Sequence, residues 1–285
     1  MNGRRNPLPL GGSDEWPYSK GLMARALVGV GLGVEPAYRL ARRLELDLAE
    51  RDARAVELDR LEALAVEVLG EIEGLQVIGR LRRWETLQAL DVPILLLVGG
   101  GTGTGKSTVA TEAAHRLGIT RLTSTDFIRQ TMRSFFTPEA MPSVHTSSFE
   151  AEPLLEGFLE QTRNVVVGVE GAIERALTEG WSMVLEGVHL VPGMVPERID
   201  GAVVVHVVLG IDTEDVHRTH FHVRDTTTGG LRAMDKYLSQ LDAIRRLQDY
   251  IVERAIANGV PVIESSNPER ATASVLELVL DAAAR

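Results

Sequence analysis

Cysteine is absent from the 285 residues, which excludes disulfides, thiolate zinc sites, iron–sulfur clusters and cysteine nucleophiles in one step. Lysine is nearly absent too. Lys20, Lys106 and Lys236 stand alone among 30 basic residues, so each marks an unusual position. No apolar run approaches the roughly eighteen residues that a membrane span needs, and residues 1–11 carry two arginines with no apolar h-region behind them. The expectation is a cytoplasmic protein with no membrane partner. Positive charge is in deficit, with 30 basic against 40 acidic side chains and a net charge of -10, the wrong field for a protein that coats nucleic acid. An anionic ligand must therefore be held by a local device.

What is present suffices for a packed core: 44% of residues are hydrophobic and 25% charged, over a length that allows about two domains. Residues 1–16, rich in Gly, Pro, Asn and Arg, read as a disordered leader. Residues 17–91 read as a small all-helical domain, with apolar periodicity through Ala37-Leu40-Ala41-Leu44, Leu58-Leu61-Leu64 and Val77-Leu81-Trp84. The pattern changes at Pro93. The run from Ile94 to Val98 is continuously apolar between a proline and glycines, as a buried parallel strand requires. Further strands are expected at 121–124, 183–185, 203–208 and 261–263, separated by helical stretches, one of them running from Lys236 to Ala257. That alternation predicts a three-layer α/β domain with a parallel sheet over residues 92–285.

Gly100-Gly101-Thr102-Gly103-Thr104-Gly105-Lys106-Ser107-Thr108 follows the first strand and opens a helix, the context in which G-x-x-x-x-G-K-[ST] is a P-loop, or Walker A motif. Glycines let backbone N–H groups converge on phosphate oxygens, Lys106 reaches the β and γ phosphates of ATP, and Ser107 offers a hydroxyl to Mg²⁺. Past the second strand, Asp126, Arg129 and Arg133 fall within about 60° of one another on a helix that starts there. The carboxylate can orient or deprotonate an acceptor hydroxyl and the arginines can clamp an anion. The alternative is an N-cap aspartate with two solvated arginines. Glu186 ends an apolar strand where a Walker B carboxylate would sit, to hold a magnesium-bound water or the attacking hydroxyl, or is a structural strand-end residue. Arg218 and Arg224 read as lid arginines over the phosphates, while His217, His220 and His222 lack metal-ligand spacing and read as solvated.

The stretches PILLLVGGGTGTGKSTVATEAAHRLGITRLTSTDFIRQTMR, MPSVHTSSFEA, VLEGVHLVPG and DKYLSQLDAIRRLQDYIVERA resemble the 2-phosphoglycerate kinase family, a P-loop transferase family. The resemblance implies transfer of the ATP γ-phosphoryl group to the hydroxyl of 2-phosphoglycerate, a small anionic phosphorylated acid, to give 2,3-bisphosphoglycerate. It also implies that Asp126 meets that hydroxyl, that Arg129 and Arg133 grip acceptor anions, and that His145, Ser147 and Ser148 line the acceptor side. The helical segment WPYSKGLMARALVGVGLGVEPAYRLARRLELDLAER resembles the ATP-cone module, without the leading β-hairpin segment of that module in residues 1–15. The polar loop 225–230 supplies no arginine, a departure from the lid expected in the family. Two other functions compete: a P-loop kinase for a different small hydroxyl, and an ATP-sensing regulator whose output is a protein contact.

Overall fold

The computed structural model describes residues 18–54, 56–228 and 234–283, so the expected leader over 1–16 lies outside the described residues. The chain forms two compact units. One holds the described residues up to Asp91 together with those from Leu276 onward; the other holds those from Val92 to Val275.

The first unit contains α1 (Lys20–Gly29), α2 (Val34–Glu50), α3 (Leu58–Leu69) and α4 (Glu71–Ala89). Ser19 caps α1 by accepting from the Leu22 N–H. Gly70 ends α3 and begins α4 with φ at 86°, a conformation open to glycine and costly for other residues. The apolar stripes read from the sequence meet in a core containing Leu27, Leu40, Leu44, Leu61, Leu64 and Leu81, all 0% exposed. Each contributes about 1.5–3 kcal/mol on burial. Asp47 is the buried charged residue of this unit, and accepts from Arg51 and Arg60.

The second unit is built on five parallel strands: β1 (Ile94–Gly100), β2 (Leu122–Ser124), β3 (Met183–Glu186), β4 (Val203–Gly210) and β5 (Val262–Glu264), in the order β2-β3-β1-β4-β5. All four pairings are parallel, with Leu95 beside Met183 and Val204. The helices are α5 (Lys106–Leu117), α6 (Thr125–Phe135), α7 (Leu154–Thr178), α8 (Glu214–Thr228), α9 (Met234–Leu238), α10 (Leu241–Asn258) and α11 (Pro268–Ala283). From β1 to β2 the chain moves across the sheet in the direction opposite to that from β4 to β5, so right-handed crossovers put α5 and α10 on opposite faces. Strand order reverses at β1. The carboxyl ends of β1, β3 and β2 therefore flank a crevice where α/β sheets hold ligands.

Two expectations are corrected. The helix expected from Lys236 to Ala257 is broken into α9 and α10, because Ser239 turns its hydroxyl to the Lys236 carbonyl and Gln240 closes a tight turn on Tyr237. Residues from Leu276 onward group with the helical unit rather than the sheet: Glu277 receives ion pairs from Arg80 and Arg83, and Asp281 from Arg83. Asn267 caps α11, its side chain accepting from the Arg270 N–H, and Pro268 fills the first helical position.

Candidate active site

Four carbonyls of the loop between β1 and α5 are held by side-chain donors. Lys106 Nζ donates to the Gly101 carbonyl at 2.6 Å, His217 Nε2 to that of Thr102 at 2.7 Å, His220 Nδ1 to that of Gly103 at 3.1 Å and Ser265 Oγ to that of Thr104 at 2.8 Å. A peptide directs its N–H opposite to its carbonyl, so the bonds from His217, His220 and Ser265 favour an anion-binding concavity on the N–H side of the loop at the N-terminus of α5, while Lys106 rests on the Gly101 carbonyl. His217 and His220 are thus not free solvated side chains. A carbonyl only accepts, which fixes the proton on the ring nitrogen that faces it. His217 is fully buried and burial pushes its pKa down, against the effect of the Thr102 carbonyl. Gln248 braces the same loop: it accepts from the Ile211 N–H, donates to the Ile211 carbonyl, and lies against Gly101.

Lys106 is buried, and desolvation pushes its ammonium pKa down against the pull of Glu186 and Asp126. An incoming polyphosphate would supply the opposite charge that this position lacks. Ser107 Oγ donates to Glu186 Oε1 at 2.9 Å, which joins the start of α5 to the end of β3. These are two hard oxygen donors. Among the described residues no group of three or more His, Asp or Glu side chains gathers to hold a metal, so other ligands would be phosphate and water oxygens, the manner in which Mg²⁺ is held. Thr108 follows on the exposed side of α5.

Across the crevice, Ser124 caps α6 by accepting from the Phe127 N–H, and Asp126 stands exposed in the first turn. Arg129 reaches Asp126 Oδ1 at 3.3 Å and donates to the Thr146 carbonyl at 2.8 Å, while its Nε is buried with no partner among the described residues. Arg133 stays apart, exposed and donating to Gln130 on its own helix. The shared face of Asp126 and Arg129 therefore exists, and Arg133 is not gathered into it.

His145 ends a 3₁₀ turn and donates to the Phe136 carbonyl at 2.9 Å. Ser147 receives Lys236 Nζ at 3.5 Å, beside the Lys236–Glu150 ion pair, and Ser148 is buried. Arg218 pairs with Glu214 one turn back on α8, not with the phosphate loop; Arg224 lies on α8 with its side chain outside the described ones. An aromatic series leads from the loop to this segment: His217 stacks on Phe221, Phe221 on Tyr237, and Tyr237 meets Phe149 at centroid distances of 5.3, 5.2 and 5.7 Å.

The buried polar residues that the sequence did not single out include Thr125, Gln161, His189, Gln248 and Ser265. His189 had a signal, as a lone polar residue in the apolar run Val188-His189-Leu190-Val191. The others had none, since their partners are distant in the chain.

No family model matches the chain. Curated relatives do. A 2-phosphoglycerate kinase of Thermococcus kodakarensis is 36% identical over 270 residues, covering 91% of each chain. One from Pyrococcus horikoshii is 34% identical over 275 residues, 93% of this chain and 90% of that protein. One from Methanocaldococcus jannaschii is 34% identical over 265 residues, 90% of this chain and 85% of that protein.

Proposed function

The chain belongs to the 2-phosphoglycerate kinase family, and from that premise we propose that it transfers the γ-phosphoryl group of ATP to the hydroxyl of 2-phosphoglycerate, giving 2,3-bisphosphoglycerate. The observation that carries the reading is the crevice at the end of β1: a loop with side-chain-bonded carbonyls and the buried Lys106 on one side, an exposed carboxylate with a neighbouring guanidinium on the other.

In this reading the loop N–H groups and Lys106 hold the β and γ phosphates, and Ser107 and Glu186 hold Mg²⁺, which neutralises phosphate charge when bound. The acceptor hydroxyl oxygen bonds to the γ phosphorus as the bond to the β–γ bridging oxygen breaks. ADP departs with that electron pair and the hydroxyl proton passes to Asp126. Arg129 and Arg133 meet the acceptor's anionic groups, beside His145, Ser147 and Ser148. Arg218 and Arg224 meet the phosphates on closure, which needs Arg218 to leave Glu214. The helical unit is ATP-cone-like, and the reaction belongs in the cytoplasm.

The test is ADP release with ATP and Mg²⁺ against a panel of phosphorylated three-carbon acids, unphosphorylated acids and neutral alcohols. We expect acceleration by 2-phosphoglycerate above the rest of the panel, and a bisphosphorylated product by phosphorus NMR. Preference for a neutral alcohol would reassign the acceptor. ATP binding without turnover on any acceptor would favour a regulator.

A further inference from the structure

His189 is 0% exposed and sits just past β3, three residues from Glu186. Its Nδ1 is 2.8 Å from Thr125 Oγ1 and its Nε2 is 2.8 Å from Gln161 Oε1. Gln161, on α7 and also buried, turns its Nε2 to two backbone carbonyls, Ser143 at 2.5 Å and Thr146 at 3.0 Å. Carbonyls only accept, so the Gln161 amide nitrogen must face them and its oxygen must face the ring. That oxygen only accepts in turn, so the proton of His189 is on Nε2. Nδ1 is then a bare lone pair, and the Thr125 hydroxyl donates to it. Every proton in the chain Thr125, His189, Gln161 and the 143–146 segment has one possible place.

The chain joins the parts on which the acceptor side depends. Thr125 is the first residue of α6 and immediately precedes Asp126. The Thr146 carbonyl that receives Gln161 also receives Arg129, and Asn164 Nδ2 donates to Ser143 Oγ at 2.8 Å. Gly187 leaves room for this contact, because a Cβ there would overlap Thr125 Oγ1. We propose that His189 is a positioning residue, an imidazole with its proton on Nε2 and a bare Nδ1, which fixes the first turn of α6 and so the approach of Asp126 to the acceptor hydroxyl. The inference rests on the kinase reading above and adds a residue to it. Burial brings the His189 pKa down to about 3, with Arg129 and Lys106 acting in the same direction and Asp126 against it, so the ring stays uncharged near neutral pH.

The test uses the full chain with Thr125→Val, Thr125→Ser, His189→Asn and His189→Leu. Val is isosteric with Thr but donates nothing; Ser keeps the donor. Misplacing a reacting group by about 1 Å costs on the order of a hundredfold, so Thr125→Val and His189→Leu should lower acceptor-saturated kcat by about ten- to a hundredfold. KM for ATP should stay within about twofold, Thr125→Ser should restore most of the rate, and His189→Asn, which can present an acceptor to Thr125, should fall between. Equal losses in Thr125→Ser and Thr125→Val, or parallel loss of ATP affinity and kcat, would overturn the proposal. Should His189→Leu not fold, the Thr125 pair decides. Nitrogen NMR of His189 reads the tautomer without any substrate: a proton on Nδ1, or a cationic ring between about pH 5 and pH 8, overturns the proposal whatever the acceptor. If the wild type turns over no acceptor, the kinase reading fails; if the wild type is active and the Thr125 pair is indistinguishable, only this inference fails.

Discussion

The two units bury different chemistry. Among the described residues, the helical unit buries one charged or polar side chain, Asp47, beneath a shell of leucine, alanine and valine. The sheet unit buries Thr104, Lys106, Thr125, Ser148, Gln161, Thr162, Glu186, His189, His206, His217, Gln248, Ser265 and Thr272. A buried polar group costs stability unless it is hydrogen-bonded, and an unpaired one costs about 1–3 kcal/mol. The first unit is explained by packing together with the Arg51 and Arg60 bonds to Asp47. The second is not so explained: Thr104, Lys106, Thr125, Glu186 and His189 of its polar interior lie at or just past the carboxyl ends of β1, β2 and β3, where chemistry would use them.

The comparison breaks most visibly at Lys106. Lys106→Ala should lower turnover on the order of 10²–10³-fold, because its charge is needed where charge develops on the transferred group, and removing a buried cation frees the fold of a desolvated charge. Steady-state kinetics beside a thermal melt test both halves. A folded variant with unchanged ADP release would remove the functional reading of the polar interior.

Acid should separate the units next. All seven histidines lie beyond residue 91, and burial lowers the pKa of His189, His206 and His217 below the usual 6.5. For each, the unfolded chain binds the proton more readily, so the stabilisation is complete above about pH 6.5 and is lost as pH falls toward the folded-state value. In the helical unit, the Arg60 hydrogen bond holds Asp47 below the usual carboxylate range, against burial and with help from Arg51. Its contribution is lost only in the more acidic window below the ordinary value of 3.8. Hydrogen exchange along a pH series should show the sheet unit losing protection first on acidification. Protection lost first in the helices would contradict the assignment.

A glycine in each unit offers a smaller effect. Gly187 and Gly70 both have positive φ, at 151° and 86°, but a Cβ at Gly187 would overlap Thr125 while one at Gly70 would meet nothing within 4 Å. Gly70→Ala should cost about 1–3 kcal/mol of strain, and Gly187→Ala a further 1–3 kcal/mol from overpacking. Denaturant melts measure the difference. Only Gly187→Ala should also depress acceptor turnover; equal activity in both would detach Thr125 from the reaction.

The sequence carried some of this contrast and missed the rest for a physical reason. The apolar run at Ile94–Gly100, the glycine spacing before Lys106 and the α6 face with Asp126 and Arg129 are local patterns, each legible within a few residues, although the cap of α6 is Ser124 and not Asp126. The contacts of His189 cross 64 residues to Thr125 and 28 to Gln161, and those of His217 and His220 cross 115 and 117 residues to the phosphate loop. Nothing in local periodicity encodes such pairings. The break between α9 and α10 was local, at Ser239, yet the apolar spacing continues across it and hid the competing hydroxyl.

The smallest and sharpest comparison is among arginines that differ only in surroundings. Arg129 has 18% of its side chain exposed and uses its planar fork on Asp126 and the Thr146 carbonyl; Arg133 is exposed and meets Gln130 on its own helix; Arg60, in the helical unit, meets Asp47. Lysine at each position keeps the charge and removes the fork. At position 129, one ammonium cannot span the carboxylate and the carbonyl from a fixed stem, so a charge-assisted bond worth roughly 1.5–3 kcal/mol is lost near the reacting group. Acceptor efficiency should fall by about ten- to a hundredfold. At position 133 the fork meets only Gln130 before the acceptor binds, so the loss should be smaller than at 129 and should arise wholly from Arg133 turning to the acceptor anion, as the proposed function requires. At position 60 kinetics should not move, and any cost should appear in the melt. Acceptor-dependent and acceptor-independent ADP release for the three variants decides among them. Equal losses at 129 and 133 would make both arginines a clamp on the acceptor anion, whereas a kinetic loss at 60 would mean that the apolar unit takes part in the reaction after all.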